Sequence, residues 1–377
     1  MKRVAVLGIK TYPAFTGPDR VSENIIDHID DEYAYSIYLM NDVEDKLAPI
    51  GNKEFIYLPS FPGKHLKAFS YYFFAMLHAL FTRRKYDVLH LHNSDVGLYM
   101  ILLSLRYRDR MVGTFHGNPY ERSKWGGFAK WYLQTSEKYF VKHSAALTSV
   151  TATKTLPNQQ IIYIPNGIEK IDVRSFSSYQ NVNINYDTLS IPRQHFILFA
   201  CGRLDRTKGL HHLLAAYKMV DTDVPVVVVG NFTHDKDYSA FIDSEADAIN
   251  KANSQNRVIV IKDLLPKQDL FDLITKSKFV VFPSEIEAMS MFLLEVLACN
   301  KAVICSDIEE NMAVVGKNYD LTFKSKDERS LYQQLIKLLN TPVGTSIEKS
   351  VDLSEFDWNN IAQAYKDTYT QVMNRPQ

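Results

Sequence analysis

Short apolar runs rich in Val and Ile recur along the whole chain, and the segments between them are long enough to hold a helix. Uninterrupted apolar strands that alternate with amphipathic segments are typical of βαβ units, whose parallel sheets are covered by helices on both faces. The pattern therefore predicts an α/β fold. The expected strands are Val4–Ile9, Tyr35–Met40, Phe55–Leu58, Val88–His92, Met111–Phe115, Leu147–Val150, Ile161–Ile164, Phe196–Cys201, Pro225–Gly230, Val258–Ile261, Phe279–Pro283 and Ala302–Ser306.

A polar stretch separates two series of these runs. The chain has 377 residues, which is too long for one ordinary domain and suits two. Residues 168–194 are rich in Ser, Asn and Tyr and have no clear period, which indicates a linker. The predicted domains are a first Rossmann-like domain over 1–170, a linker over 171–193, a second Rossmann-like domain over 194–350, and a C-terminal helix within 351–377 that can pack back on the first domain.

Composition excludes several classes of protein. The 43 basic and 43 acidic side chains cancel, so a general nucleic-acid binder is not expected. No stretch of about 18 uninterrupted apolar residues is present, so no transmembrane helix is predicted. Cys201, Cys299 and Cys305 form neither a CxxC motif nor a metal-ligand cluster, which favours the reducing cytoplasm.

The neutral total conceals a basic first half. Residues 46–154 carry 16 basic and 6 acidic side chains, and aromatic residues are interleaved with the cations. One interpretation is an anionic membrane surface as partner. The other is that the aromatics are core faces of helices and the cations are their solvated sides; both stay open. The residues expected at an acceptor and membrane side are Lys124, Trp125 and Lys130, and the membrane interpretation also counts the aromatic Trp131 and the Tyr71–Phe74 cluster among the cations.

Two carboxylates, Glu287 and Glu295, lie in a stretch that follows a strand and turns helical by about Ser290. On one continuous helix they would be about 12 Å apart, so they could hold two ends of an elongated ligand but could not share one proton or one metal. Backbone N–H groups at Ala288, Met289 and Ser290 would add donors at the helix start. The alternative is that Glu287 caps the helix and Glu295 is a surface residue.

Other candidates lie in loops that follow strands. Arg203 and Lys208 can straddle a diphosphate, one as a planar fork and the other as a point charge. They can also be ordinary solvated loop charges. His116 also follows a strand, and its structural interpretation is a satisfied core histidine. Gly17, in the loop after the first strand, lets the backbone approach a phosphate, although the neighbouring proline removes one N–H donor.

Four stretches, in order, carry a resemblance to a known family. Glu287-x7-Glu295 resembles the E-x7-E signature of the family 4 retaining glycosyltransferases. Thr114–Gly117 resembles that family's T-x-H-G loop, Ile164–Glu169 its P-N-G-[VI]-[DE], and Gly202–Gly209 its G-R-L-x-x-x-K-G. The resemblance covers about residues 1–320. It implies a GT-B fold, in which two facing Rossmann-like domains hold a nucleotide sugar in the cleft between them.

The resemblance also implies roles for the candidate residues. Glu287 would contact the transferred sugar, Glu295 the ribose hydroxyls, and His116 a sugar hydroxyl. Transfer would retain the anomeric configuration and need no bound metal, because cations and helix N-termini neutralise the leaving diphosphate. No cofactor is expected. The nucleotide sugar, with a UDP-sugar favoured, is the co-substrate.

The chain departs from the family at two places. Only Gly17 remains where many members carry a Gly–Gly pair, and Ala288–Ser290 stands where Gly-Phe-Gly is frequent. The second change leaves backbone donors in place but alters the shape expected for the sugar pocket.

The predicted function is a hexosyltransferase-type enzyme that builds a bacterial surface glycan on a lipid-linked saccharide. It would work in the cytoplasm, peripherally on the inner face of the cell membrane. Two alternatives are a nucleotide-sugar epimerase of the same fold and an inactive nucleotide-binding module.

Overall fold

Two compact units make up the protein in the computed structural model, which describes residues 1–14, 17–29, 32–42, 45–63, 66–117, 126–169, 183–252, 255–341 and 351–375. Met1–Gly167 and Ser354–Gln377 form the first unit, and Ile168–Leu353 forms the second. The predicted linker falls largely on residues 170–182, which lie outside the described ranges. Each unit is built around one parallel sheet.

The first sheet has seven parallel strands in the order β3-β2-β1-β4-β5-β6-β7. All seven predicted strands are confirmed, with ends that differ by no more than two residues. Their central members are buried on both faces, which explains the uninterrupted apolar runs. The strands are β1 Lys2–Leu7, β2 Tyr33–Met40, β3 Lys53–Leu58, β4 Val88–His92, β5 Met111–Phe115, β6 Ala146–Ser149 and β7 Ile162–Tyr163.

Among the described residues before the linker there are four α-helices. They are α1 Gly17–His28, α2 Leu66–Phe81, α3 Gly97–Tyr107 and α4 Gly127–His143. The α3 helix packs between α2 and α4, and the inner sides of α2 and α3 form one core with Leu89 and Leu91 of β4. Among the described residues, no helix combines the length and apolar character needed to cross a bilayer.

The second sheet has six parallel strands in the order β10-β9-β8-β11-β12-β13. This is the order of a doubly wound Rossmann sheet. The five predicted strands are confirmed, and β13 is an addition that is too short to leave a periodic pattern. The strands are β8 Ile197–Cys201, β9 Val226–Gly230, β10 Val258–Ile261, β11 Phe279–Phe282, β12 Val303–Ser306 and β13 Thr322–Phe323.

In the described part of the second unit, six α-helices accompany this sheet. They are α5 Leu210–Lys218, α6 Lys236–Ala252, α7 Lys267–Lys276, α8 Met291–Ala298, α9 Glu309–Val315 and α10 Glu328–Leu339. In both sheets the strand order reverses at the centre, between β1 and β4 and between β8 and β11. Ligands of doubly wound sheets bind at this switch point, outside the carboxyl ends of the strands. The loops after β8 and β11 are therefore where a ligand of the second unit is expected.

The last helix, α11 (Trp358–Met373), belongs to the first unit. The Tyr369 hydroxyl lies 2.8 Å from His90 Nδ1 on β4, and Arg110 Nη1 donates to the Met373 carbonyl at 2.7 Å. The Trp358 ring lies over Gly167, where a Cβ atom would come within 2.4 Å of the indole. The helix thus packs against the first sheet and covers residues that β4 would otherwise expose.

Candidate active site

The loop after β8 is shaped by its own Asp205. This carboxylate accepts hydrogen bonds from the backbone N–H of Thr207, at 3.1 Å, and from the Thr207 hydroxyl, and so caps a 3₁₀ turn over Arg206–Lys208. Gly209 ends the loop with φ of 68°, and a Cβ atom there would lie 1.9 Å from the Pro283 carbonyl oxygen. Only glycine permits so close a contact in this backbone conformation. The loop after β8 is therefore packed directly on the loop after β11.

An ion pair joins these two loops. Lys208 Nζ lies 2.6 Å from Glu287 Oε1, and the Ser284 hydroxyl donates to the same oxygen at 2.7 Å. A backbone hydrogen bond of 2.8 Å from Glu285 N–H to the Thr207 carbonyl runs beside it. The Glu287 side chain is only 9% exposed and that of Lys208 22%, so the pair is mostly shielded from water. The structure thus brings two of the predicted site residues into direct contact.

Arg203 lies on the same loop as Lys208 but is held less firmly. Its Nε lies 3.3 Å from Asp205 Oδ2, and the side chain is 36% exposed. The Asp205 carboxylate thereby orients the guanidinium, while a third of its surface stays accessible to a ligand. Both predicted diphosphate cations project from one loop at the switch point.

Glu287 does not lie in the helix that follows it. Ser290 is the N-cap residue of α8, and its hydroxyl accepts a hydrogen bond of 3.3 Å from Leu293 N–H. The predicted helix start near Ser290 is confirmed, but the interpretation of Glu287 as the cap is wrong. The helical spacing of about 12 Å to Glu295 does not apply either, because it assumed one continuous helix through both residues.

Glu295 lies on α8 and is only 2% exposed. The interpretation of this residue as an ordinary surface carboxylate is therefore wrong, since a carboxylate so deeply buried needs polar partners. Of the residues that connect it to Glu287, Met289 is also buried, whereas Ala288 and Ser290 are partly accessible. The predicted backbone donors therefore lie in a largely enclosed segment.

Gly17 lies where the loop after β1 enters α1. This residue is the first of α1, and no atom lies within 4 Å of a Cβ placed on it, so packing does not require glycine there. The buried Asp19 accepts hydrogen bonds from Lys10 N–H at 3.0 Å and from the Thr11 hydroxyl at 3.1 Å. Its negative charge in the first turn of α1 opposes a phosphate at Gly17. The glycine that packing does require is Gly8, whose Cβ would lie 2.0 Å from the His92 carbonyl oxygen.

His116 forms part of a histidine chain at the carboxyl ends of β4 and β5. Its Nε2 lies 2.9 Å from His92 Nδ1, and the rings of His90 and His92 are 4.0 Å apart. Burial lowers the pKa of His116 to about 3, lowers the pKa of His90 to about 3, and lowers the pKa of His92 well below its usual value. All three rings are therefore neutral at pH 7. In the pair of His92 and His116, one ring donates and the other accepts.

Sequence reasoning found His116 but missed its two partners. The available signal was the alternation of His90 and His92 on a strand, which places both side chains on one face. It also missed three residues beside the ion pair, His211, His212 and Glu285, whose nitrogen and carboxylate atoms lie within 4.8 Å of one another. In the part of the chain that the structure describes, this is the one group of three found with metal-ligand spacing.

Of the predicted membrane and acceptor residues, Lys124 and Trp125 lie outside the described ranges. Lys130 is exposed on α4. Tyr71 and Tyr72 are buried in the core of the first unit, so their placement at a membrane is wrong and the core interpretation holds for them.

Family comparisons agree with the motifs in both halves of the chain. Residues 185–356 match the family model of Glycosyl transferases group 1, and residues 31–170 match that of Glycosyltransferase Family 4. The chain belongs to the family 4 glycosyltransferases. The predicted resemblance to this family is therefore confirmed. The enzyme is a glycosyltransferase.

Individual relatives of this glycosyltransferase have low sequence identity to it but align with most of its length. Alpha-maltose-1-phosphate synthase of Mycolicibacterium smegmatis is 23% identical over 76% of this chain and 79% of its own length. The UDP-Gal:alpha-D-GlcNAc-diphosphoundecaprenol alpha-1,3-galactosyltransferase of Escherichia coli is 23% identical over 73% of this chain and 72% of its own.

A solved structure shows the same fold at lower identity. Sucrose-phosphate synthase from Thermosynechococcus elongatus superposes with a TM-score of 0.78, covers 99% of both chains and is 16% identical. The GT-B fold predicted for this glycosyltransferase, with one Rossmann-like sheet in each unit, is confirmed.

Proposed function

We propose that this glycosyltransferase moves a sugar from a nucleoside diphosphate sugar, with UDP favoured, to a lipid-linked saccharide in the synthesis of a bacterial surface glycan. The observation that carries the proposal is the ion pair between Lys208 and Glu287 at the switch point of the second sheet. The name of the Escherichia coli relative supports both substrates, since it contains a UDP-sugar donor and a diphosphoundecaprenol acceptor.

The donor diphosphate is assigned to Arg203 and Lys208. Both cations come from one short loop, and Asp205 fixes the shape of that loop. Arginine offers two parallel N–H groups to one phosphate, and lysine adds a mobile point charge to the other. Glu295 is assigned to the ribose hydroxyls, because a buried carboxylate is a strong acceptor for paired O–H donors.

The charges of the ion pair match the charges that develop during transfer. As the bond between the anomeric carbon and the phosphate oxygen breaks, negative charge grows on the diphosphate and positive charge on the sugar. Lys208 can stabilise the first and Glu287 the second from neighbouring positions. Fixed charges in a site shielded from water are worth more than in solvent, which favours this electrostatic route.

The proposed step retains the anomeric configuration. The acceptor hydroxyl attacks the anomeric carbon on the face that the diphosphate leaves, and the electron pair of the broken bond stays on the diphosphate. The acceptor proton passes to the departing phosphate oxygen, which is the base nearest to it in this arrangement. The chemistry thus needs positioning and fixed charge from the protein, and neither a cofactor nor a metal takes part in the proposed step.

His116 is assigned to a sugar hydroxyl as a neutral hydrogen-bonding group. Its pKa, lowered to about 3 by burial, excludes a role as a cation at pH 7. The contact with His92 engages one ring nitrogen and leaves the other for a ligand. A neutral imidazole in this position orients a hydroxyl without adding charge to the site.

A second surface supports the lipid-linked acceptor. The outer helix face, which we define by Phe69, Phe73, Leu102, Leu105 and Trp131, presents large apolar side chains from α2, α3 and α4 to solvent. Leu105 is 78% exposed and Trp131 58%. Phe69 lies at the junction of the three helices, with its ring 5.7 Å from that of Tyr99 and 6.0 Å from that of Tyr132.

Cations accompany this apolar surface on α4. Lys130, Lys138 and Lys142 are exposed on the same helix as Trp131. An exposed apolar patch of this kind marks an interaction surface, and flanking cations suit an anionic bilayer. We therefore assign the outer helix face to peripheral binding on the inner leaflet, where a lipid-linked acceptor would be presented.

The test is a donor and acceptor panel. We expect UDP release from a UDP-sugar that depends on an undecaprenyl-diphosphate saccharide, persists in EDTA, and gives an α-linked product by NMR. Interconversion of the UDP-sugar without acceptor would instead indicate the epimerase, and UDP binding without turnover would indicate the inactive module. The family match favours transfer over both alternatives.

A further inference from the structure

Two histidines and a glutamate lie together beside the proposed donor site. His211 and His212 are in the first turn of α5, and Glu285 is in the loop after β11. His212 Nε2 lies 3.1 Å from Glu285 Oε1, and His211 Nε2 lies 3.5 Å from the same oxygen. The three side chains therefore meet at one place, two from the start of α5 and one from the loop after β11.

The spacing fits a tetrahedral metal. Zinc binds histidine nitrogen and carboxylate oxygen at about 2.1 Å, so two ligand atoms on a tetrahedral ion lie about 3.4 Å apart. The distances from Glu285 Oε1 to His212 Nε2, 3.1 Å, and to His211 Nε2, 3.5 Å, bracket that value. A set of two histidines and one glutamate also leaves a fourth position for water, which is a known zinc arrangement.

The outer nitrogens of both rings are already oriented. His211 Nδ1 lies 2.8 Å from the Tyr238 hydroxyl, and His212 Nδ1 lies 2.7 Å from Glu328 Oε1. Metal-binding histidines characteristically use their second nitrogen in this way, to fix the tautomer and the ring direction. In the tautomer that carries its proton on Nδ1, each ring presents the lone pair of Nε2 toward Glu285.

His212 supplies the sharpest argument, because each of its nitrogens faces a carboxylate. Glu328 is at Nδ1 and Glu285 at Nε2. A neutral imidazole has one N–H, so one of the two carboxylates would meet a nitrogen lone pair. Either a second proton or a metal ion on Nε2 resolves this conflict. Lys326 contacts the other oxygen of Glu285 at 3.1 Å and so leaves Oε1 to the two rings.

We propose that His211, His212 and Glu285 bind a divalent transition metal, with Zn²⁺ as the ion of best fit. The site goes beyond the transfer reaction and takes no part in it. Glu285 is two residues from Glu287, and His211 is three residues from Lys208. The metal therefore links the loop after β8, through the start of α5, to the loop after β11. These loops carry the ion pair, and the metal stabilises their packing.

The experiment uses the full chain after removal of metal by chelator and dialysis. Titration with ZnCl₂ in a calorimeter is expected to show one site per chain, and Co²⁺ is expected to give the visible absorption of a tetrahedral complex. His212→Asn and Glu285→Gln should each weaken zinc binding at least 10-fold. Glu328→Gln, which alters only the outer partner of His212, should weaken it by roughly 10- to 100-fold.

His195→Asn is the matched control, because His195 is exposed and precedes β8. It therefore lies at the amino ends of the strands, whereas the proposed metal site lies at their carboxyl ends. This variant should bind zinc as the wild type does. The circular dichroism spectrum and UDP binding show whether each variant is folded. Absence of zinc binding by the wild type overturns the proposal, and so does equal binding by the wild type and the folded His212→Asn variant.

Discussion

Lys208 and Glu287 come from loops 79 residues apart in sequence, yet their charged atoms lie 2.6 Å apart. The contact depends on Gly209, which lets the loop after β8 sit against Pro283, and on Ser284, which holds the Glu287 carboxylate. In the proposed function, a donor diphosphate that approaches Lys208 would share this ammonium group with Glu287. The pair therefore couples donor binding to the position of the carboxylate assigned to the sugar.

Glu287→Gln should lower turnover by about 100-fold or more, because an electrostatic contact made mainly in the transition state is lost. UDP affinity should stay within a few-fold, since the amide keeps the shape of the side chain. Steady-state transfer and calorimetric UDP titration measure the two effects. Glu309→Gln, at an exposed position of α9, is the control. Near-normal turnover of folded Glu287→Gln would remove this residue from the mechanism.

Arg203→Ala and Lys208→Ala should each weaken UDP binding by about 1.5–3 kcal/mol, the range for hydrogen bonds to charged groups. Uridine binding should hardly change, because both cations are assigned to phosphate and not to the base. Calorimetry with UDP and uridine compares the two ligands directly. Equal losses for both would mean that the residues only maintain the loop.

Gly209→Ala should destabilise the protein by about 2 kcal/mol or more, because φ of 68° is unfavourable for alanine and the new Cβ overlaps Pro283. The same substitution should also weaken UDP binding, because the loop after β8 would separate from the loop after β11. Gly202→Ala, on the same loop, is the matched control, because nothing lies within 4 Å of its Cβ position. Urea denaturation measures both variants, and equal stability of the two would contradict the packing described.

The histidine chain predicts that stability falls in acid. His90, His92 and His116 have folded pKa values lowered by burial, so the unfolded chain binds more protons below about pH 6.5. Their contribution is complete above that pH and is lost as the pH falls toward about 3. Each contributes a slope of up to about 1.4 kcal/mol per pH unit within this window.

Urea denaturation across this range, for the wild type and His116→Gln, checks the effect. The variant should show a shallower loss of stability with falling pH, because one proton fewer is taken up on unfolding. Parallel curves for the two proteins would show that His116 titrates normally in the folded state.

The outer helix face predicts salt-sensitive binding to anionic vesicles. Vesicles of phosphatidylglycerol should sediment the enzyme, neutral vesicles should not, and about 0.5 M salt should release it, because the Debye length falls well below 8 Å. Lys130, Lys138 and Lys142 changed together to Gln should reproduce the effect of salt. Leu105→Ser with Trp131→Ser should weaken binding at low salt, whereas Met219→Ser, exposed in the second unit, should not. Failure of the wild-type enzyme to sediment with anionic vesicles at low salt would favour a soluble acceptor.

The strands were predictable because parallel sheets bury both faces, and runs such as Val226–Gly230 therefore leave an uninterrupted apolar signal. The loop positions of Arg203 and Lys208 were predictable for a related reason, since ligand loops follow the carboxyl ends of strands. The contact of Lys208 with Glu287 was not, because it depends on how two distant loops pack. Sequence spacing carries no record of that packing.

The errors have physical causes too. Glu287 was considered as the helix cap because acidic residues favour first turns, but the Ser290 hydroxyl takes that position. Tyr71 and Tyr72 were counted toward the membrane interpretation, which stayed open, because aromatic composition does not distinguish the inner from the outer side of a helix. The helical period does, since Phe69 and Phe73 fall on the outer side of α2.

The return of α11 to the first unit has a consequence for biosynthesis. The chain emerges from the ribosome N-terminus first. The first unit nevertheless lacks Tyr369, and the helix that covers β4, until residues near 370 have emerged. The second unit, encoded between 168 and 353, is complete before that point. Domains usually mature in the order of their synthesis. Here the later-encoded unit is expected to finish first, while the earlier unit, with His90 still uncovered, waits for α11.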